Sequence, residues 1–208
     1  MLLTLAFASF STQAADGVTE LQRFYDGLRD LETRFEQTQY DETGKVIQVT
    51  LGNFSLARPD RFRWEYVTPY MQTLVSDGRT FWFYDVDLAQ VTRRRAADAL
   101  QGTPALLLSG GPALAQQFSL SHDGSRDGLL WVRLRPKAKE GDFSEIRLGL
   151  ADGQPRVMEL QDNLGQRTLI RFSGMRINSG LPAAQFSFKV PAGVEVVDAD
   201  APAAGGPP

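Results

Sequence analysis

Few residues of this 208-residue chain could perform chemistry, and they are scattered. His122 is the single histidine and cysteine is absent, so Cys/His zinc sites, cysteine nucleophiles and multi-histidine metal centres are excluded. Any Ser-His-Asp triad has to use His122, which sits in a polar turn at a strand end, the setting of a surface side chain rather than a general base. Asp85 and Asp87 flank a turn as a potential carboxylate pair, but nothing beside them offers the partner that would split their pKa values. Asp123, Ser125, Asp127 and Gly128 look like the opening of a calcium loop, yet the position of the closing glutamate holds Leu134. Ser109-Gly110-Gly111 lacks the preceding glycine and the strand-turn-helix setting of a nucleophile elbow, and no phosphate loop occurs. Asn53-Phe54-Ser55 matches a glycosylation acceptor but falls inside a strand pattern. Arg93-Arg94-Arg95 is the one basic run, either a solvated loop or a contact for an acidic partner surface. These residues point away from an enzyme, and no catalytic residue, metal site or cofactor is assigned.

The 22 basic and 25 acidic side chains leave a net charge of -3, which argues against a nucleic-acid groove. Leu2 to Phe10 form an uncharged apolar run followed by small residues at Thr12 and Ala14. That pattern predicts a signal peptide over residues 1–14, too short to span a bilayer. Export without cysteine points to a bacterial periplasm, and no Cys follows the cleavage site to carry a lipid anchor. Ala199 to Pro208 is a Pro, Ala and Gly tail not expected to pack, which leaves residues 15–198 as one folded domain. A single fold of this size buries roughly 70% of its unfolded surface, enough for a sizeable core.

Val18, Leu21, Phe24, Tyr25 and Leu28 predict an amphipathic helix ending near Leu31, with Thr19 to Gln22 available as a capping box. From Thr33 the period changes to two. Phe35, Gln37 and Gln39 share a face, and Asp41 to Lys45 turns the chain. The strand from Val46 to Arg58 shifts its apolar parity about Gly52, from Val49 and Leu51 to Phe54 and Leu56, the mark of a bulge. Phe62, Trp64 and Tyr66 then occupy one face while Arg63 and Glu65 take the other. Asp77-Gly78, Asp152-Gly153 and Asn163-Leu164-Gly165 read as hairpin turns, and alternation continues to Phe186, Phe188 and Val190. The expectation is about ten or eleven strands in an antiparallel meander, curled toward a barrel because an open sheet this wide must curl or split.

Between Thr92 and Phe118 the pattern breaks. Thr103-Pro104 caps a short apolar helix, Ser109-Gly110-Gly111 forms a hinge, and Ala113 to Gln117 makes a second short helix. With the N-terminal helix these make three helices, most simply laid over the concave face of the sheet as a lid. Aromatics crowd the first strands, and Phe81-Trp82-Phe83-Tyr84 puts them on both faces of one strand. Such rings either form a packed core or line a dry apolar hollow able to admit an apolar ligand.

The segments Arg58-Pro59-Asp60-Arg61-Phe62-Arg63-Trp64-Glu65-Tyr66, Gln72 to Asp85, and Leu88-Ala89-Gln90-Val91 resemble the outer-membrane lipoprotein carrier family, LolA. Thr103-Pro104-Ala105-Leu106-Leu107-Leu108, Leu134-Arg135-Pro136-Lys137 and Leu160 to Gln166 follow in the family's order, so the resemblance covers nearly all of the mature chain. It implies an incomplete antiparallel β-barrel covered by a three-helix lid and enclosing a hydrophobic cavity. It further implies a monomeric periplasmic chaperone that accepts acylated lipoproteins from an inner-membrane ABC transporter and gives them to an outer-membrane lipoprotein receptor. Carried over residue by residue, Arg58 is the arginine that latches the lid. Phe62, Trp64, Tyr66, Phe81, Trp82, Phe83 and Tyr84 would line the acyl-chain cavity, with Leu106, Leu107 and Leu108 as the inner surface of the lid. A periplasmic sensory or interaction domain of the same fold is the alternative, binding lipid or lipoprotein without shuttling it.

Overall fold

The computed structural model describes residues 16–96, 104–109, 111–138 and 143–200. The expected signal peptide over residues 1–14 and Gly110 of the expected hinge lie outside these. The chain opens with helix α1 (Gly17–Gly27) and continues through β1 (Asp30–Tyr40), β2 (Val46–Ala57), β3 (Arg61–Thr68), β4 (Gln72–Asp77), β5 (Thr80–Asp85) and β6 (Gln90–Arg95). Helices α2 (Pro104–Ser109) and α3 (Gly111–Gln117) follow. The second run of strands is β7 (Phe118–Arg126), β8 (Leu129–Pro136), β9 (Phe143–Ala151), β10 (Gln154–Asp162) and β11 (Arg167–Ile177), and the chain closes with β12 (Glu195–Asp198).

All twelve described strands belong to one sheet in the order β12-β6-β5-β4-β3-β2-β1-β11-β10-β9-β8-β7. Hairpins join most neighbours, and β1 pairs with β11 to splice the two meanders. The terminal strands β12 and β7 do not pair, so the sheet is unclosed. It is nevertheless curled, because Phe62 and Phe81 of one end share a core with Leu134 and Leu148 of the other. Helix α1 packs on β7 to β10, and α3 packs on β7 and α2.

Several expectations need correction. Helix α1 stops at Gly27 rather than near Leu31 because a residue distant in sequence takes over its exit. Asn178 donates from Nδ2 to the Gly27 carbonyl at 2.8 Å and accepts the Arg29 N–H at 2.8 Å. Buried Asp30 then accepts the Ser179 N–H at 2.8 Å, turning the chain directly into β1. At its start, the helix is capped by Asp16, which accepts from Val18 N–H and the Thr19 hydroxyl, and not by a box built on Thr19.

Strand β2 carries no bulge at Gly52. Thr50, Gly52, Phe54 and Leu56 all face inward in one register, whereas Val49 and Leu51 are exposed on the outer face. The irregularity lies in β3, where Leu51 pairs with Thr68 and Gly52 with Tyr66, leaving Val67 as the extra residue.

The segment Phe186 to Val190 is not a strand. Ala183–Phe186 is a 3-10 turn between Pro182 and Pro191, and Phe186 is buried against the outer face of the sheet. Arg63 holds the segment there by donating from Nε to the Gln185 carbonyl at 2.9 Å and from Nη2 to the Ser187 carbonyl at 3.1 Å. The chain then returns as β12, the one parallel neighbour in the sheet, beside β6.

Candidate functional site

The candidate site is the concave face of β1 to β5, which shares one core with the helices packed over the other half of the sheet. Alternation places Phe62 and Trp64 inward, and their cross-strand partners continue the face: Phe62 opposite Ser76 opposite Phe81, and Trp64 opposite Leu74 opposite Phe83. Phe62, Trp64 and Phe81 are buried, and Tyr66 and Phe83 pack partly buried against the same core. The rings touch in sequence, Phe35 to Trp64 at 4.5 Å, Phe54 to Trp64 at 4.9 Å and Phe62 to Phe81 at 6.1 Å between centroids. Phe35 and Phe54, readable in the sequence only as face residues of their strands and not as part of the cavity, lie on the inward parity and complete this wall. Gly52 makes room for Phe35. A Cβ there would lie 2.3 Å from the Phe35 Cζ and 2.1 Å from the Glu65 carbonyl oxygen.

Trp82 and Tyr84, expected in the cavity, project from the opposite face, since they alternate with Phe81 and Phe83. Both stack on Phe188 of the C-terminal segment, at 6.0 and 5.9 Å. That segment had been read as another strand, which hid the cover it provides for the outer face.

On the lid, Leu107 and Leu108 are buried and join Phe54, Phe62 and Trp64 in one continuous core. Leu106 is on α2, but its side chain lies outside the described set. Tyr25 of α1 donates its phenolic hydrogen to the Leu107 carbonyl, fastening α1 to α2. Burial pushes the Tyr25 phenol well above its usual range, and the positive charge of Arg58 acts on it in the opposite direction. Arg58 occupies the β2–β3 turn, with its N–H donating to the Arg29 carbonyl at 2.9 Å and its carbonyl accepting from Arg61 Nη2 at 3.0 Å. The residue assigned as latch therefore stands electrostatically next to the Tyr25 hydroxyl that holds α2.

Each arginine of the basic run has a neighbour within the chain, and Arg93 and Arg95 stay largely exposed. Arg93 is paired with Asp198, and Arg95 lies 3.6 Å from the Asp200 carboxylate. Arg94 points to the concave side and stacks over Phe81 at 4.8 Å. Of the expected tail, the Ala199 N–H donates to the Arg93 carbonyl at 2.9 Å and the Asp200 carboxylate accepts the Arg95 N–H at 2.6 Å, and residues 201–208 lie outside the described residues.

The other polar candidates serve the fold. His122 Nδ1 accepts the Gly17 N–H at 3.3 Å and anchors the start of α1. Asp85 accepts from Gln72 Nε2 at 2.7 Å and from the Leu88 N–H at 3.1 Å, and so shapes the turn that contains Asp87. Asp123 joins an ionic network on the outer face with Arg126, Arg133 and Arg147. Among the described residues no group of three or more His, Cys, Asp or Glu is arranged to hold a metal.

Two openings reach the concave side. A cleft of about 600 Å³ runs between α1, α3 and β7, lined by Val18, Tyr25, Leu114, Phe118 and Leu120, with Lys137 beside it. A smaller recess of about 300 Å³ lies between the far ends of β1 to β4.

The family model for the outer membrane lipoprotein carrier protein LolA matches residues 26–189. The outer-membrane lipoprotein carrier protein of Methylococcus capsulatus is 42% identical over 199 residues, covering 95% of this chain and 96% of its own. That of Neisseria gonorrhoeae is 39% identical over 195 residues, covering 94% and 92%. Among solved structures, an uncharacterised conserved protein from Thermus thermophilus superposes with a TM-score of 0.58 at 13% identity, over 88% of this chain and 96% of that one. A LolA-superfamily protein from Nitrosomonas europaea gives 0.50 at 12% identity, over 84% and 99%. The aromatic half-barrel, its three helices and these matches lead to one statement: the chain belongs to the outer-membrane lipoprotein carrier family, LolA.

Proposed function

We propose that the protein is a periplasmic chaperone that carries acylated lipoproteins through the aqueous space between two membranes, receiving them from an inner-membrane ABC transporter and delivering them to an outer-membrane receptor. The observation that carries this reading is the continuous aromatic wall that shares one core with the apolar helices, in a chain whose relatives are named outer-membrane lipoprotein carrier proteins. A lipoprotein bears two or three acyl chains of about 16 carbons, and at roughly 0.8 kcal/mol per buried methylene their exposure to water costs on the order of 20 to 40 kcal/mol. Free diffusion is excluded by that figure. Leu107 and Leu108 cover in the closed form the surface the acyl chains take in the loaded form, so the lid acts as a built-in competitor for the same wall. Competition keeps the carrier weaker than its acceptor, and transfer runs downhill toward the tighter site. The sequence holds no phosphate loop, so energy for loading comes from the donor.

Arg58 and Tyr25 set this balance in the proposal. The bond from Tyr25 to Leu107 holds α2 closed, and Arg58, whose charge reaches the same phenol, is the latch residue. A displacement assay tests the carrier role. An anilinonaphthalene dye bound to the folded protein should be displaced by an acylated lipoprotein and left in place by the same lipoprotein without acyl chains. Equal displacement by both would place recognition on the protein surface of the client.

A further inference from the structure

The concave face changes character toward the ends of β1 to β4. Phe35 and Tyr66 meet edge to face at 5.6 Å. Beyond them the inward positions become amides: Gln37 opposite Thr50, Gln39 opposite Gln48, and Tyr66 opposite Gln72. With Tyr70, exposed at the rim, these residues line the recess of about 300 Å³, at the small end of ligand pockets.

Some of the polar groups are already used. Gln48 Nε2 donates to the Thr50 hydroxyl at 3.0 Å, and Gln72 Nε2 donates to the Asp85 carboxylate at 2.7 Å. Gln37 and Gln39 are different. Gln37 is only 8% exposed, yet neither side chain makes a hydrogen bond among the described residues. Amides not committed within the chain, at the end of an apolar trough, offer donors and acceptors that another molecule can complete. The ligand chemistry follows from the donors. Primary amides offer both an N–H and a carbonyl and carry no charge, which suits neutral esters and amides. The Asp85 carboxylate, bonded to Gln72 beside them, disfavours an anionic head such as that of a free fatty acid.

Resting on the carrier reading above, we propose that this glutamine recess is a head-group subsite that takes the uncharged glyceryl ester and amide linkages joining the acyl chains to the N-terminal cysteine of a lipoprotein. The acyl chains run along the aromatic wall while Gln37 and Gln39 hold the linkage at the rim. The carrier thereby reads a diacylglyceryl head and not hydrocarbon alone.

Two synthetic peptides test this, one with a dipalmitoylglyceryl thioether on its N-terminal cysteine, the other with the two ester carbonyls replaced by ether methylenes. The unmodified protein should bind the ester peptide about tenfold more tightly than the ether peptide, as expected for two neutral hydrogen bonds. In Gln37→Leu/Gln39→Leu the ester peptide should fall to the affinity of the ether peptide, which itself should not change. Equal affinities in the unmodified protein, or the same ester preference in both proteins, would overturn the subsite while leaving the carrier role intact. If neither lipid-bearing peptide binds better than the bare peptide, the carrier reading falls and takes the subsite with it. The comparison within the unmodified protein does not depend on how the variant folds.

Discussion

The Tyr25 hydroxyl and the Leu107 carbonyl, 82 positions apart, form a buried hydrogen bond that ties helix α1 to α2. Removing the hydroxyl in Tyr25→Phe leaves the Leu107 carbonyl without this donor and should lower stability by about 1 to 3 kcal/mol. Burial raises the Tyr25 phenol above its ordinary value of 10.0, with the charge of Arg58 opposing the rise. The stability contributed by the neutral phenol is therefore fully present below pH about 10, where the unfolded chain begins to ionise, and declines as the pH climbs above it. Melting curves between pH 7 and 11 should show a gentler alkaline decline for Tyr25→Phe than for the parent. Parallel declines would detach Tyr25 from the alkaline transition.

Arg58→Leu should favour the open lid. A hydrogen bond from a charged group is worth about 1.5 to 3 kcal/mol, so the closed-to-open balance should shift by roughly 10-fold to 150-fold. Folding and loading should survive, binding of an apolar dye should strengthen, and handover of lipoprotein to purified acceptor should slow. Arg58→Lys should restore handover in part, because it keeps the charge without the planar fork of donors. Transfer at the parental rate would leave Arg58 as a residue of the β2–β3 turn alone.

Arg63 secures the C-terminal segment through the Gln185 and Ser187 carbonyls and pairs with Glu65 at 2.8 Å. Arg63→Ala should cost about 2 kcal/mol and open residues 180–195 to limited proteolysis. The outer-face stack of Trp82 and Tyr84 on Phe188 should loosen with it, read as a red shift in tryptophan emission. An unchanged cleavage pattern would mean that burial of Phe186 holds the segment by itself.

Gly52→Ala forces a methyl group into the Phe35 ring and the Glu65 carbonyl. Overpacking of this kind costs about 1 to 3 kcal/mol, so the melting temperature should drop by several degrees. Trimming the ring in Phe35→Leu should recover part of the loss in the double variant, since relief of the clash with Phe35 is specific to that pair.

The inward wall was readable because alternation is local: Phe62, Trp64 and Tyr66 announce one face of β3, and Phe81 follows from the next hairpin. The fate of Trp82 and Tyr84 was not readable in the same way. Both faces of β5 are aromatic, and the one that faces outward is marked by Phe188, more than 100 positions away. Phe186, Phe188 and Val190 alternate like a strand, but the docking of Gln185 and Ser187 on Arg63 overrides the pattern. Arg93 and Arg95 read as a free basic run because Asp198 and Asp200, their partners, lie over 100 positions away. The end of α1 was misplaced for the same reason, since Asn178 determines it. Gln37 and Gln39 were visible as a shared face, while the recess they enter depends on Gln72 and Tyr70 from another hairpin.

The most direct test of the carrier account is native mass spectrometry of the protein purified after co-expression with a lipoprotein, run beside the same lipoprotein with its acylated cysteine replaced by serine. The account predicts a one-to-one complex with the acylated client and none with the serine form. Equal complexes with both, or recovery of the carrier free of the acylated client under conditions where that client is made and released, would contradict it.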